Sequence, residues 1–348
     1  MPTTWRHRGN PCSPTSGGSS SVSDVDAPTY RSPLLDLPGA VEGDGVDRGV
    51  AAHYGAISPE QRALESGQAF VDLSHRDVLT ITGADRLGWL HSLTTQAFDR
   101  LSPGTPTQAL VLSPQGRVEH AFHGVDDGET FVAHTEPGRG TALAAYLDSM
   151  RFMMRVDVTL ATGTHAVLGL SGLRYAVIPR AELASAPDTY GTPAGTWAWE
   201  ALRIAAGVPR PGLDTDDKSI PNEYGWQYDA ATGTSDLMQA VHLDKGCYRG
   251  QETVARIHNL GRPPRRAVLL HLDGSAEHLP SHGAEVQLDG RRVGFVGSTA
   301  RHHELGPIAL AVVKRNVPVE ETLLVDGVPA AQEALVDPEI GLHVRPAL

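Results

Sequence analysis

The residues best equipped for chemistry in this chain stand in one run, Lys245-Gly246-Cys247-Tyr248-Arg249-Gly250-Gln251-Glu252. A thiol lies beside an aromatic ring and between two glycines, which allow a ligand to approach the backbone closely. Lys245 and Arg249 add positive charge next to the thiol, and a lysine neighbour favours the thiolate, the nucleophilic form of cysteine. Cys247 is therefore the candidate working residue. Taken alone, a loop cysteine is more often an inert, half-buried residue. The full octet is what shifts the reading towards function.

The elements that must carry this octet can be read from periodicity and turn residues. From Met1 to about Asp47 the chain runs through repeated Pro, Gly and Ser with few periodic apolar residues, which predicts a disordered tail over 1–47. Short strand patterns at Val71, Leu73 and Val78 to Ile81 precede a helix that Asp85 can cap, with Leu87, Leu90 and Leu93 on one side. Ala109 to Leu112, Arg117 to Phe122 and Thr130 to Ala133 read as an antiparallel meander joined by Gly-containing turns. Gly140 to Met154 reads as a helix and Pro187 to Gly195 as a loop, with a short helix over Trp199 to Ala206 ending at Gly207 and Pro209. From Ala267 onward only strands follow, with Asp289-Gly290 and Asp326-Gly327 as hairpin turns. Helix and sheet mix without strict alternation, so the class is α+β with a separate all-β C-terminal domain. The expected boundaries are a tail over 1–47, a core over 48–264 and a β domain over 265–348.

Composition removes several classes of function. With 29 Lys+Arg against 41 Asp+Glu in 348 residues the net charge is -12, which disfavours nucleic acid and anionic membranes as partners. No apolar run approaches the roughly 20 residues needed to cross a bilayer. Cys12 and Cys247 are the two cysteines, so a disulfide framework is excluded, and His302-His303 lacks further ligands at helical spacing, leaving a zinc site without support. No apolar stretch follows Arg6 and Arg8, so no secretory signal is read and a cytoplasmic location is expected.

The octet resembles the hallmark K-G-C-[YF]-x-G-Q-E of the YgfZ-type folate-binding proteins, relatives of the glycine cleavage T-protein (aminomethyltransferase). Leu202-Arg203-Ile204-Ala205-Ala206-Gly207-Val208-Pro209 is similar to that family's L-R-I-x-A-G-x-P, and Leu112-Ser113-Pro114-Gln115-Gly116-Arg117 to its strand-turn-strand segment. The resemblance implies a mixed antiparallel-sheet core and a C-terminal β-barrel around a central tetrahydrofolate site, and partners among iron-sulfur enzymes or cluster-assembly proteins. It implies cofactor-binding roles for Arg203, Lys245, Gly246, Tyr248, Gly250, Gln251, Glu252 and Arg256, and a functional thiol at Cys247. Folate needs an aromatic face, polar groups for the pterin edge and positive charge for its anionic tail. Trp197, Trp199, Tyr224, Trp226 and Tyr228 concentrate aromatics here, and Arg203, Lys245, Arg249, Arg256, Arg262, Arg265 and Arg266 read as a basic cluster. The bland alternative is core packing and a solvated charged face.

Two departures separate this chain from the aminomethyltransferases. Their strand after the Gly turn carries an Asp that acts at the reacting folate nitrogen, and His120 stands at that position here. Glu119 is adjacent, but strict strand alternation would send it to the opposite side. The Gly-Tyr-Thr-Gly-Glu segment of the T-protein is also missing around Gly172 to Arg180. The expected function is a tetrahydrofolate-binding accessory protein for iron-sulfur cluster assembly or repair, the alternative being a folate-dependent aminomethyl or methyl transferase that uses His120 or Glu119.

Overall fold

The computed structural model describes residues 30–227, 239–275 and 278–339. It begins with a short 3-10 turn at Pro33–Asp36, opened by Ser32 Oγ accepting the Leu34 N–H, and with β1 (Val41–Glu42) paired antiparallel to β2 (Ala51–His53). This corrects the expected tail for residues 30–47. Leu34 is buried with Phe70, Leu168 and Ile178, and Asp47 ion-pairs with His75 and Arg210. Buried Leu34, the Asp47 carboxylate and polar contacts from Tyr30 and Ser32 to Ser74 and Asp72 anchor the segment, too sparse a signal to register as periodicity. Residues 1–29 of the expected tail, and Tyr228, lie outside the described residues.

The core follows. α1 (Ile57–Glu65) turns Leu64 inward, and β3 (Ala69–Asp72) is buried throughout. β4 (Asp77–Thr82) leads to α2 (Arg86–Leu93), whose N-cap residue is Asp85 as expected, although its carboxylate bonds Arg155 instead of the helix N–H groups. β5 (Thr107–Leu112), β6 (Val118–Asp126) and β7 (Thr130–Thr135) form the expected meander. α3 (Gly140–Ser149) stops short of Met154: Trp89 Nε1 takes the Met150 carbonyl, and Met153 leaves helical geometry with φ 55°. β8 (Asp157–Leu160) then closes a five-stranded sheet of order β5-β6-β7-β4-β8.

β9 (His165–Leu170) and β10 (Arg174–Pro179) form a hairpin, followed by α4 (Ala186–Tyr190) and β11 (Thr192–Ala194). β11 pairs parallel to β3, in a second sheet of order β10-β9-β3-β11, so the stretch expected as a loop contributes a strand. α5 (Thr196–Ala205) starts three residues earlier than the apolar pattern, and Gly207 ends it at φ 69°. α6 (Gln251–Leu260) carries the end of the octet.

The C-terminal strands β12 (Arg265–Leu272), β13 (Glu285–Leu288), β14 (Arg291–His302), β15 (Gly306–Lys314), β16 (Leu323–Val325) and β17 (Val328–Ala334) close into a barrel of order β12-β15-β14-β13-β16-β17. Both Asp-Gly turns put two consecutive residues at positive φ, the geometry that matches strand twist in tight hairpins. α5 packs Ala201 and Ile204 on Leu269, Ile308 and Leu310 of the barrel. A second apolar cluster, Leu110, Leu112, Ala121, Tyr224, Trp226, Tyr248, Val254 and Val312, joins the first sheet, the octet and the barrel.

Candidate functional site

Most of the octet is committed to holding the chain together. The Lys245 ammonium reaches the carbonyls of His91, Thr94 (2.5 Å) and Gln96 (3.0 Å), so all three of its N–H donors cap the end of α2. Desolvation pushes its pKa down to about 8. Tyr248 is buried in the apolar cluster beneath Lys245, whose ammonium lies 5.0 Å from its ring centre. Gly250, at φ 82°, starts α6 and presses on the β5–β6 turn. Gln251 opens α6, and Glu252 pairs with Arg256 one turn on, both exposed. Gly246 and Cys247 are left exposed.

Arg249 connects the octet to β6 through a bidentate pair with Glu119 (3.0 and 3.4 Å). The β5–β6 register skips Glu119: Val111 faces His120 and Leu112 faces Val118. This bulge removes the strict alternation expected for the strand and kinks it. Glu119 and His120 consequently border the same guanidinium. Burial lowers the His120 pKa, with Arg139 and Arg249 acting in the same direction against Glu119. The His120 ring lies 5.7 Å from that of Tyr146 on α3.

Arg203 corrects the role carried over from the resemblance. It is 3% exposed and bonds Glu200 twice, Asp214 (2.9 Å), the Val208 carbonyl (3.0 Å) and Ser298 Oγ of β14. A guanidinium has five N–H donors, so none remains for a ligand. Arg203 fastens α5 to the barrel. The expected basic cluster is likewise dispersed: Arg262 pairs with Glu339, Arg265 with Asp216 and Glu223, and Arg266 is buried in the barrel on the Val317 carbonyl and Gln332.

A buried site that the sequence did not single out lies between the two sheets. Arg210 bonds Glu136 and Asp47, Arg76 bonds Glu136 (2.7 Å), and His75 meets Asp47 (3.0 Å). Burial opposes the Glu136 charge, but Arg210 and Arg76 outweigh it and hold the carboxyl at about 2. Against this network stands a group of rings. Tyr175 of β10 lies 4.4 Å from His134, 4.9 Å from His123 and 5.2 Å from Trp199, with the Arg76 guanidinium 5.2 Å over its face. The two histidines are cross-strand partners on β6 and β7, stacked at 5.4 Å.

Desolvation pushes His123 down to about 3 and His134 well below its ordinary value, so both rings are neutral at neutral pH. Tyr175 and His123 remain only half-buried, which leaves part of these two rings accessible. His134 Nδ1, Arg76 Nε, Trp199 Nε1 and Thr196 Oγ1 are buried without a hydrogen-bond partner. Unpaired polar atoms at such depth call for waters or a ligand, and beside stacked rings they suit a planar heterocycle. Of the aromatics expected at a site, Trp199 alone is here among the described residues. Trp197 is exposed against His53, and Tyr224 and Trp226 are core. Two histidines in a strand pair were the available signal, but their facing depends on a register that sequence alone does not give.

Glu65, His302 and His303 also gather, within 4.8 Å of one another, where α1 meets β14. His302 Nδ1 accepts the N–H groups of Glu304 and Leu305, which leaves the proton of its neutral ring on Nε2. That tautomer presents a donor, not a metal-ligating lone pair, while His303 ties barrel to core by bonding Glu65 and Gln61.

No family model matches the chain. A putative chloroplastic transferase of Arabidopsis thaliana is 23% identical over 84% of this chain and 76% of its own length. An aminomethyltransferase of Nostoc is 24% identical over 75% of this chain and 80% of its own, and the tRNA-modifying protein YgfZ of Escherichia coli is 33% identical over 34% of each. The crystal structure of the glycine cleavage system aminomethyltransferase T from Bartonella henselae superposes with a TM-score of 0.69 at 17% identity, over 88% of this chain and 97% of that one. The chain has the T-protein fold, and its sequence relatives include aminomethyltransferases and YgfZ proteins.

Proposed function

We propose that this chain is a YgfZ-type tetrahydrofolate-binding accessory protein that supports iron-sulfur cluster assembly or repair, with Cys247 as its working thiol. The observation that carries the reading is the division of labour within the octet. Lys245, Tyr248, Arg249 and Gly250 are committed to positioning, while the Cys247 side chain stands at the surface. A rigid frame around an exposed thiol gives it a fixed position and access to a partner.

We assign the pterin to the accessible ring faces of Tyr175 and His123. That ring system is flat and carries donors and acceptors along one edge; Tyr175 and His123 offer half-exposed ring faces, and unpaired polar atoms lie buried behind them. Arg203 has no donor left, so the anionic tail falls to Arg139, an exposed residue whose guanidinium lies over Gly212. One thiolate cannot hold a cluster that normally takes four ligands, so Cys247 contributes one ligand of a shared site or a redox-active thiol.

The test is complementation. Cells lacking the protein, with depressed activity of iron-sulfur enzymes, should recover with the wild-type chain and not with Cys247→Ser, although that variant still folds and binds tetrahydrofolate. Full rescue by Cys247→Ser would overturn the thiol's role.

The bulge supports a second reading, a folate-dependent one-carbon transferase. It brings Glu119 and His120 to one edge beside Arg249, and a neutral imidazole there can accept a proton. Turnover of a one-carbon donor with tetrahydrofolate would establish it. Intact folate binding without turnover would remove it.

A further inference from the structure

The loop between α3 and β8 presents the most exposed large apolar side chains among the described residues. Phe152 is 85% exposed and Met153 90%, and Met150 and Met154 of the same loop are exposed as well. Three of the chain's five methionines are in this loop. Met153 is held at φ 55°, a region that costs a residue with a side chain about 1–2 kcal/mol, and no burial of Met153 offsets that cost. Apolar groups clustered in this way mark contact surfaces, and Phe, Met and Arg are the residues enriched at their centres.

Charge decides what covers the patch. Around it, Arg151 pairs with Asp148 (2.9 Å) and Asp157 (3.4 Å), and Arg155 with Asp85 (2.7 Å). With two arginines against three aspartates there is no surplus of positive charge for an anionic bilayer or a polyanion. The protein as a whole carries -12, so two copies repel over most of their surface. Here both signs are interspersed, so the face of one copy presents arginines as well as aspartates to another. Exposed ion pairs of this kind contribute little within one chain and exchange partners at small cost. β8 adds a sheet edge, because among the described residues it ends its sheet and bonds only β4.

We propose that this face is a self-association surface, on which two copies meet about a two-fold axis with their Phe152–Met153 loops in contact and their β8 edges side by side. The contact is isologous, so it closes at the dimer.

Sedimentation velocity of the full chain across the micromolar range tests this, run beside the double variant Phe152→Ser, Met153→Glu. The wild type should show a concentration-dependent dimer, and the variant's dissociation constant should rise at least about tenfold, as loss of central apolar anchors does. At a concentration where both are monomeric its thermal midpoint should not change, since neither side chain is buried within one chain, which separates lost association from unfolding. A wild type that stays monomeric, or a dimer that survives the double substitution, would overturn the proposal. So would cosedimentation of the wild type with phosphatidylglycerol vesicles that the variant loses.

Discussion

Gly250 and Gly116 meet backbone against backbone. A Cβ at Gly250 would stand 3.0 Å from Gly116 Cα and 2.4 Å from the Ser113 carbonyl oxygen, and one at Gly116 would strike Thr253 Cβ at 2.7 Å. The two glycines let α6 start directly on the β5–β6 turn, which fixes the octet to the strand that carries Glu119 and His120.

Gly250→Ala should therefore destabilise the fold by at least about 2 kcal/mol, from left-handed backbone strain and overpacking together. Gly246→Ala, whose Cβ would meet only His91 Nε2 at 3.5 Å, should stay within about 0.5 kcal/mol of the wild type. Urea unfolding of the two variants compares them directly. Equal losses would contradict the structural role of the second glycine.

Lys245→Met should cost about 1–3 kcal/mol by leaving carbonyls at the end of α2 without a donor, yet leave tetrahydrofolate affinity unchanged. Urea midpoints and a binding titration on the same preparation read the two effects separately. Lost affinity in a variant of undiminished stability would return Lys245 to the ligand site.

Arg203→Met should be the most damaging of these single changes, at about 3–5 kcal/mol, because it strands the Glu200 and Asp214 carboxylates in the interior. If the variant folds with wild-type stability and fails only in ligand binding, the saturated role described for Arg203 is wrong.

The stacked histidines set a pH window. His123 is held at about 3 and His134 well below its ordinary value, against about 6.5 in the unfolded chain. A depressed folded pKa contributes stability that is present above 6.5 and is lost as pH falls towards the folded values. Each histidine then makes stability fall by up to about 1.4 kcal/mol per pH unit below 6.5. Glu136, held at about 2, adds its share only below about 4.5, where the unfolded carboxyl protonates. Unfolding free energies between pH 7 and 5 should thus fall less steeply for His123→Gln than for the wild type. Parallel slopes would show that His123 titrates normally.

What the sequence revealed and what it hid follow from range. The α2 start, the β5–β7 meander and the Asp-Gly hairpins depend on neighbours a few residues apart, and they were legible. The octet was legible as a unit, but Lys245 caps a helix more than 140 residues upstream, and its charge looked free until that helix was placed. Tyr175, His123 and His134 come from three strands of two sheets, so no spacing announces them. The Glu119 bulge depends on register, and one extra residue in a ladder leaves no mark in a period-two pattern.

The most direct test of the account is an anaerobic calorimetric titration with tetrahydrofolate of the wild-type protein, Tyr175→Ala and Cys247→Ser. The account predicts binding by the wild type, a loss of at least about tenfold in affinity for Tyr175→Ala from the missing ring contact, and unchanged affinity for Cys247→Ser. No binding by the wild type, or equal affinity for the wild type and Tyr175→Ala, would contradict it.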